Sequence, residues 1–330
     1  MAELRWHSAA DVAACVSMRD VLGAVREGFA AFSDRSAVAP VRTVLPLPEG
    51  TTLMMPAALP RQGITTVKVV SVYPNNSARG LPAILGLVAV LDAGTGEPLA
   101  LMEGAYLTGL RTGAASGVAT DLLSRPDARV LGLVGTGFQA RFQAEAVAAV
   151  RAIEEVRVYG RDAQRWSCFV SELRDYLRER GYAIEVRAAM NPADAVEAAD
   201  VVCAATSSST PVFEAASIKA GTHINGVGSY TLAMREVPPE LIRRARVFVD
   251  SREAAEAEAG DLLPEVESGR LSWSSLPEIG EVLLGTRTGR ESPDEVTFFK
   301  SVGLAVQDAA AAGLVARRAR EMGLGQRLAL

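Results

Sequence analysis

The chain has 330 residues, of which 49% are hydrophobic, 22% charged and 5% aromatic, and its formal net charge is −5 at pH 7. This composition is that of an ordinary globular protein and excludes a disordered or collagen-like chain. The longest nearly uncharged apolar stretch, residues 81–91, is far shorter than the roughly 20 residues that a membrane helix needs, and the first residues carry acids instead of a basic leader. We therefore expect a cytoplasmic protein with no membrane partner.

Cysteine and histidine content restricts the possible chemistry. Cys15, Cys168 and Cys203 are odd in number and form no CxxC pair, so a disulfide framework and a zinc finger are both disfavoured. His7 and His223 are the only histidines, which disfavours a metal site or a Ser/His/Asp triad. Basic clusters stand beside acids on predicted helices of an acidic chain, so we expect no nucleic-acid partner.

The first third of the chain begins with a helix and then turns to strands. Residues 17–20 begin a pattern with helical spacing, and Ser17 is its predicted N-cap. After Pro40, segments rich in Val, Leu, Ile and Thr are separated by Pro and Gly. The predicted strands are 41–47, 51–55, 65–73, 83–92 and, after a hairpin loop at 92–96, 99–102.

A helix rich in small residues is predicted from Thr108 to about Ser124. Its glycines each cost the helix roughly 0.5–1 kcal/mol relative to alanine, so their density indicates close packing or approach of a ligand. Composition alone does not distinguish these two explanations.

From residue 129 to about 251, strands and helices alternate, which is typical of a parallel sheet covered on both faces. We predict an α/β fold: a Rossmann-type doubly wound domain at 125–302 and a discontinuous α+β substrate-binding and dimerisation domain at 1–124 with 303–330. The apolar helix predicted at 302–321 would pack back on the N-terminal elements. The strands of the N-terminal segment are too many and too apolar to end at an open edge, so we predict a homodimer.

A G-x-G-x-x-A pattern lies between a predicted strand, 129–134, and a predicted helix, 138–150, which is the context that makes this short pattern informative. Gly135 allows the tight turn, Gly137 lets the backbone approach a pyrophosphate, and Ala140 permits close helix packing. The segment therefore predicts a dinucleotide site.

The second predicted strand of this domain, 156–159, is followed by Gly160, Arg161 and Asp162. An NAD site usually presents an acid directly at this strand end for the ribose hydroxyls. Here Arg161 comes first and would pair with a 2′-phosphate, while Asp162 would still serve NADH. This order favours NADP(H) over NAD(H).

Three cations stand among apolar or small neighbours before the dinucleotide domain, namely Arg42, Lys68 and Arg111. Burial of an unpaired charge is costly, so such cations usually have an anionic partner in the protein or in a ligand. Singly, each is typical of an ion-paired or snorkelling residue. Together they suggest a pocket for a carboxylate.

The motifs resemble those of the ornithine cyclodeaminase and mu-crystallin family over nearly the whole chain. The matching segments are Pro40-Val-Arg42, Lys68, Gly80-Leu-Pro82, 107–116, Val134-Gly-Thr-Gly137, 223–228 and 297–303. This resemblance implies that Arg42, Lys68 and Arg111 hold a substrate carboxylate. It also implies cofactor contacts before the glycine loop, within it and after it, at Thr112, Thr136, Phe138, Gln139, Thr206, Val227, Lys300, Ser301 and Gly303.

The sequence departs from the ornithine-cyclising members of the family at two positions. Those members carry acids where Ser229 and Leu53 stand, and an ammonium group placed against Leu53 would find no counter-charge. Residues 228–236 are instead similar to members that reduce cyclic ketimines or act as amino-acid dehydrogenases, although Leu232 stands where those usually have Pro.

The resemblance implies hydride transfer between a nicotinamide cofactor and a small α-imino or α-amino acid. The three cations would hold the substrate carboxylate, Lys68 or a water would relay a proton, and Ser229 would hydrogen-bond the imine nitrogen. A Schiff base on Lys68 is a minor alternative. We predict an NAD(P)H-dependent reductase of cyclic ketimines such as Δ1-pyrroline-2-carboxylate, or an amino-acid dehydrogenase. The alternatives are an ornithine or related diamino-acid cyclodeaminase and a non-catalytic, crystallin-like binding protein.

Overall fold

The computed structural model describes residues 4–329, and the chain forms two compact units. The first unit combines the chain up to Arg111 with the chain from Leu304 onward, and the second comprises Thr112–Gly303. The sequence placed the divisions after residues 124 and 302. Residues 1–3 and 330 of that prediction lie outside the described part.

The first unit contains a seven-stranded sheet with the spatial order β14-β1-β6-β5-β4-β3-β2. Neighbouring strands are antiparallel except for the pair β1 and β6, which is parallel. The strands are β1 (Leu4–His7), β2 (Thr43–Leu47), β3 (Gly50–Leu59), β4 (Ile64–Val72), β5 (Ile84–Asp92), β6 (Pro98–Glu103) and β14 (Gln326–Leu328).

The helices of the first unit are α1 (Ala9–Cys15), α2 (Met18–Ser33), the beginning of α3 (Gly104–Leu123) and α11 (Ala305–Met322). Helix α11 packs against α2 and against strands β3, β4 and β5. On β4, buried and half-buried residues alternate, so Thr66, Lys68 and Val70 point to the buried face. Lys68 therefore lies within the core of this unit.

The predicted N-cap of the second helix is confirmed. Ser17 accepts a hydrogen bond from the amide of Asp20, and Asp20 accepts one from the amide of Ser17. The same reciprocal arrangement joins Ser8 and Asp11 at the start of α1, a helix that the sequence patterns did not indicate. Each reciprocal arrangement is a capping box, and it satisfies two backbone amides that the helix itself leaves unpaired.

The second unit contains a seven-stranded parallel sheet with the order β12-β13-β11-β10-β7-β8-β9. Its strands are β7 (Val130–Val134), β8 (Glu155–Tyr159), β9 (Glu185–Ala188), β10 (Val201–Ala204), β11 (His223–Gly226), β12 (Ala245–Val249) and β13 (Val296–Lys300). Its helices are α4 (Ala140–Val150), α5 (Ala163–Glu179), α6 (Pro192–Val196), α7 (Pro239–Arg244), α8 (Arg252–Glu258), α9 (Leu263–Glu267) and α10 (Ile279–Leu283), with the rest of α3.

Apolar residues of the central strands form the core between the sheet and its helices. Leu131, Leu133, Val156 and Val158 pack in one cluster with residues of α4 and α5. Burial of each such side chain stabilises the fold by about 1.5–3 kcal/mol.

Strand order reverses direction between β7 and β10, so the loops after these two strands lie side by side at the carboxyl edge of the sheet. In doubly wound folds this is the place where ligands bind. The predicted Rossmann-type fold is confirmed. No helix within residues 4–329 is both long enough and apolar enough to cross a membrane.

Candidate functional site

Lys68 and Arg111 meet at one buried carboxylate within the first unit. The Lys68 ammonium donates to Oδ1 of Asp308 at 2.9 Å and lies 2.8 Å from its Oδ2. Arg111 Nε donates to the same Oδ1 at 2.9 Å. Strand β4, helix α3 and the first turn of α11 each contribute one of these side chains. All three residues are buried.

Gln307 completes this cluster from the residue beside Asp308. Its Oε1 accepts a hydrogen bond of 2.7 Å from Arg111 Nη1, and the whole side chain is buried. The cluster of Lys68, Arg111, Asp308 and Gln307 thus contains two cationic groups and one anionic group. We call these four residues the cationic cluster. Excess positive charge in a dry environment attracts an anionic ligand.

Burial makes Lys68 an unusually weak base. Loss of water around the ammonium and repulsion by Arg111 lower the pKa of Lys68 to about 7, against the attraction of Asp308. Lys68 therefore gains and loses its proton near neutral pH.

Arg42 lies directly before β2 and is half-buried. Its positive charge contributes to lowering the pKa of Lys68, which places it within electrostatic reach of the cationic cluster. Leu53, where cyclising relatives would have an acid, is buried on β3 opposite Val44 and Val70. This position is apolar.

The glycine loop of the second unit has the geometry expected of a dinucleotide site. Gly135 has φ +114°, which side chains disfavour, and a Cβ there would lie 2.5 Å from the carbonyl oxygen of Ala205. A Cβ at Gly137 would meet no atom within 4 Å among the residues described. The backbone is therefore open to a pyrophosphate at Gly137, and helix α4 begins three residues later at Ala140.

The remaining residues of the glycine loop lie at the surface. Thr136 and Gln139 are half-buried, and Phe138 is exposed and packs against Phe142 with the rings tilted by 54° and their centroids 5.3 Å apart. The pyrophosphate of a dinucleotide fits this loop because both the backbone opening and the helix start are present.

The turn after β8 lies against the glycine loop. A Cβ at Gly160 would lie 2.8 Å from Cγ2 of Thr136, so only glycine fits there. Arg161 and Asp162 follow, and both are exposed. Asp162 Oδ1 accepts a hydrogen bond from the amide of Arg165 at 3.1 Å, so this carboxylate is engaged at the start of α5.

Lys300 and Asp261 form a buried ion pair in the second unit, and Ser229 hydrogen-bonds to both. Lys300 Nζ donates to the Ser229 carbonyl at 2.6 Å and to its hydroxyl at 2.7 Å, and lies 2.9 Å from Oδ2 of Asp261. The Ser229 hydroxyl donates to that same carboxylate oxygen. Burial opposes ionisation of Asp261, but Lys300 and the hydrogen bonds outweigh it and lower its pKa.

Glu236 fastens two loops at the carboxyl edge of the parallel sheet. Its carboxylate accepts hydrogen bonds from the amides of Thr206, Gly228 and Ser229. Thr206 follows β10 and Val227 follows β11, so Glu236 holds together two segments predicted to contact the cofactor.

Asp250 fastens a third loop. Its Oδ2 accepts hydrogen bonds from the Ser301 hydroxyl at 2.8 Å, from the Val302 amide at 3.0 Å and from the Gly303 amide at 2.8 Å. Burial raises the pKa of both Glu236 and Asp250. Thr112, the first residue of this unit, is buried on α3.

Sequence reasoning missed the groups that organise these sites, namely Gln307, Asp308, Glu236, Asp250 and Asp261. A signal existed for Asp308, because it is the only charged residue in the run 302–316. Within residues 4–329, no group of His, Cys, Asp and Glu side chains is arranged to hold a metal ion. The three cysteines are free thiols.

The switch-point loops and the glycine loop define the second unit as a dinucleotide-binding domain of the Rossmann class. The sequence profile of the ornithine cyclodeaminase/mu-crystallin family matches residues 3–323, and the chain belongs to that family. The family expected from the sequence motifs is therefore confirmed.

Three relatives document the similarity. A Δ1-pyrroline-2-carboxylate reductase from Bacillus cereus is 40% identical over 317 residues, covering 95% of this chain and 96% of the relative. The solved Thermococcus litoralis Δ1-pyrroline-2-carboxylate reductase, in complex with NADH and L-proline, is 37% identical with a TM-score of 0.93, covering 98% and 100% of the two chains. An archaeal alanine dehydrogenase dimer with bound NAD is 34% identical with a TM-score of 0.91, covering 99% of each.

Proposed function

We propose that this protein is an NAD(P)H-dependent reductase of a C=N bond that lies beside a carboxylate, with Δ1-pyrroline-2-carboxylate as the best candidate substrate. The observation that carries this proposal is the cationic cluster, whose excess positive charge is buried and suited to a carboxylate. Its relatives include reductases of this imine and an alanine dehydrogenase, and the reverse reaction would be that of an amino-acid dehydrogenase.

The chain's own residues supply binding and proton transfer. Arg42, Lys68 and Arg111 hold the substrate carboxylate and so orient the adjacent imine carbon. A bound reduced nicotinamide supplies the hydride. The imine nitrogen needs one proton, and Lys68, whose pKa burial and Arg111 lower to about 7 in the free protein, is the proposed donor from Nζ, directly or through a water.

Ser229 was predicted to hydrogen-bond the imine nitrogen. Its hydroxyl donates to Asp261 and accepts from Lys300, and the residue is fully buried. These contacts support a positioning role for Ser229 in the loop after β11, and the imine contact stays a prediction. Lys300 likewise supports that loop from within the second unit.

Cyclisation of a diamino acid is disfavoured by the environment of Leu53. A second ammonium group needs a counter-charge, and Leu53 is buried beside Val44 and Val70 instead. An unpaired buried charge costs several kcal/mol, which corresponds to orders of magnitude in turnover. The absence of an acid at position 229, which is a serine, likewise disfavours cyclisation.

NADP(H) is the proposed cofactor, in preference to NAD(H). Asp162 is engaged by the amide of Arg165, whereas Arg161 is exposed beside the glycine loop. A guanidinium in this place pairs with a 2′-phosphate through charge-assisted hydrogen bonds.

We also propose a homodimer in the cytoplasm, with no nucleic-acid partner. Free thiols fit a reducing compartment. Basic side chains of the clusters on the predicted helices are paired with acids, as in Arg243 with Glu265 and Arg318 with Asp20. The exposed apolar side chains of the edge strand β2 support the dimer.

The deciding experiment compares three reactions at equal enzyme concentration. Oxidation of NADPH or NADH is followed with Δ1-pyrroline-2-carboxylate and with pyruvate plus ammonia, and proline formation from ornithine is followed with NAD. We expect imine reduction to be fastest and ornithine turnover to stay near background. Proline release from ornithine that exceeds imine reduction would identify a cyclodeaminase instead.

A further inference from the structure

Gln307 has an unusual environment for an amide side chain. It lies in the first turn of α11, directly before Asp308, and its side chain has no solvent exposure. Only its oxygen has a hydrogen-bond partner among residues 4–329, the Nη1 of Arg111. The amide nitrogen, Nε2, has none.

The chemistry of arginine fixes the orientation of this amide. A guanidinium only donates hydrogen bonds, so Oε1 must face Arg111 and Nε2 must point away from it. A buried N–H group without an acceptor is costly, and native proteins rarely retain one unless a water or ligand satisfies it. Nε2 is therefore a donor in need of an acceptor beside a group that binds anions.

An amide at this position also preserves the charge of the cationic cluster. Lys68, Arg111 and Asp308 together leave one net positive charge when Lys68 is protonated. Gln307 holds Arg111 without adding a negative charge. A glutamate of the same shape would hold Arg111 equally well but would cancel the remaining positive charge.

We propose that Gln307 is a specificity-determining residue for the carboxylate of the substrate. Its Nε2 donates a hydrogen bond to that carboxylate, while its Oε1 positions Arg111 and leaves the guanidinium charge available to the same anion. The inference rests on the proposed function, because it requires the substrate carboxylate to bind at Arg111.

The test measures binding of pyrrole-2-carboxylate to the NADPH-loaded enzyme by calorimetry. This probe has the ring size and carboxylate of the imine, and it cannot be reduced by hydride transfer. We expect Gln307→Glu to weaken its binding by at least about tenfold, because the introduced carboxylate cancels the charge that attracts the anion. Gln326→Glu, which adds the same charge at an exposed position of β14, is the matched control and should bind as the wild type does.

The pH dependence of binding separates an electrostatic role from a structural one. An acid beside Arg111 raises the pKa of Lys68, so the pH above which Gln307→Glu loses affinity should lie higher than in the wild type. An unchanged pH would show that a charge at position 307 does not reach Lys68, and any loss of affinity would then come from disrupted packing. Wild-type affinity in Gln307→Glu, or an unchanged pH profile, overturns the inference.

Two further variants keep the outcomes distinct. Gln307→Met removes the donor without adding charge and should weaken binding less than Gln307→Glu does. Unchanged affinity in Gln307→Met would overturn the inferred hydrogen bond from Nε2 to the carboxylate. This outcome can be read even if Gln307→Glu does not fold. Arg111→Met tests the proposed function itself. If Arg111→Met binds the probe as the wild type does, the proposed carboxylate site is wrong; if only the Gln307 variants do so, only this inference fails.

Discussion

We propose two roles for Lys68, which are to neutralise the substrate carboxylate and to carry a proton. Burial and Arg111 lower its pKa to about 7, whereas Asp308 opposes this change. A lysine is positively charged below its pKa, so the anion-binding form of the cluster predominates below pH 7 and is lost as the pH rises. A bound carboxylate attracts the proton, so the pKa of Lys68 is higher in the complex than in the free protein.

We predict that the affinity of the NADPH-loaded protein for pyrrole-2-carboxylate falls as the pH rises above about 7, by up to about tenfold per pH unit. The probe has no amine that titrates in this range, so the change reports on the protein. Lys68→Met should bind the probe more weakly at pH 6 and with little dependence on pH. Equal pH dependence in the wild type and Lys68→Met would show that another group controls binding.

Residue patterns predicted the cations of the site but not the anion that joins them. Lys68 and Arg111 stood out because they interrupt apolar or small neighbours, and the structure brings both to Asp308. Asp308 lies 240 residues from Lys68 along the chain, and no local pattern specifies a pairing across that separation. The same holds for Glu236 and Asp250, because most of their partners are backbone amides, which composition does not reveal.

At the scale of elements, the parallel domain was the most predictable part of the chain. Its central strands β10 and β11 are buried on both faces, and the alternation of strands and helices predicted between residues 129 and 251 is present. Strand β13 and helices α8, α9 and α10 follow that region and were not predicted. The short strands β1 and β14 escaped prediction because they pair across the two ends of the chain, as in Arg5 with Arg327. Helix α1 was also missed, although Ser8 and Asp11 have the same spacing as the box that marked α2.

The turn between β8 and α5 offers a test of cofactor choice. We predict that Arg161→Ser raises KM for NADPH by about 10- to 100-fold and leaves KM for NADH nearly unchanged, since a charge-assisted hydrogen bond contributes about 1.5–3 kcal/mol. Arg178→Ser is the matched control, because Arg178 is exposed in the last turn of α5 and pairs with Asp175.

The change in KM for NADPH is compared with the change in KM for NADH. Equal increases in KM for NADPH and NADH would assign Arg161 to the shape of the turn. A wild-type protein that prefers NADH would reject the proposed NADP(H) preference, and Asp162 would then be the residue to substitute next.

At the scale of the whole molecule, the first unit carries exposed apolar side chains on the edge strand β2 and, beyond β3 and β4, on the start of β5. Every residue of β2 is exposed, and β2 is the edge strand of its sheet. The large apolar side chains on these two strands are Val44, Leu45, Leu47, Ile84, Leu85 and Leu87, each at least 38% exposed. Isolated exposed apolar residues are ordinary, but three on one edge strand, as on β2, are a candidate interaction surface.

We propose that a second copy of the chain covers β2. Closed twofold pairing is the commonest way to cover an apolar face, and the similar alanine dehydrogenase is a dimer. Pro46 lacks an amide hydrogen to donate at the sheet edge, so we expect the copies to associate by side-chain packing more than by strand pairing.

We predict that sedimentation velocity shows a homodimer at micromolar concentration and that Leu45→Asp shifts it to the monomer, because a charge buried in the interface has no partner there. Met190→Asp makes the same change at an apolar residue that is 80% exposed in the second unit, and it should leave the dimer intact. A wild-type monomer at this concentration would reject the assembly outright. A dimer that Leu45→Asp leaves intact would move the interface away from β2, and the exposed side chains of β5, such as Leu85, would be the next to substitute.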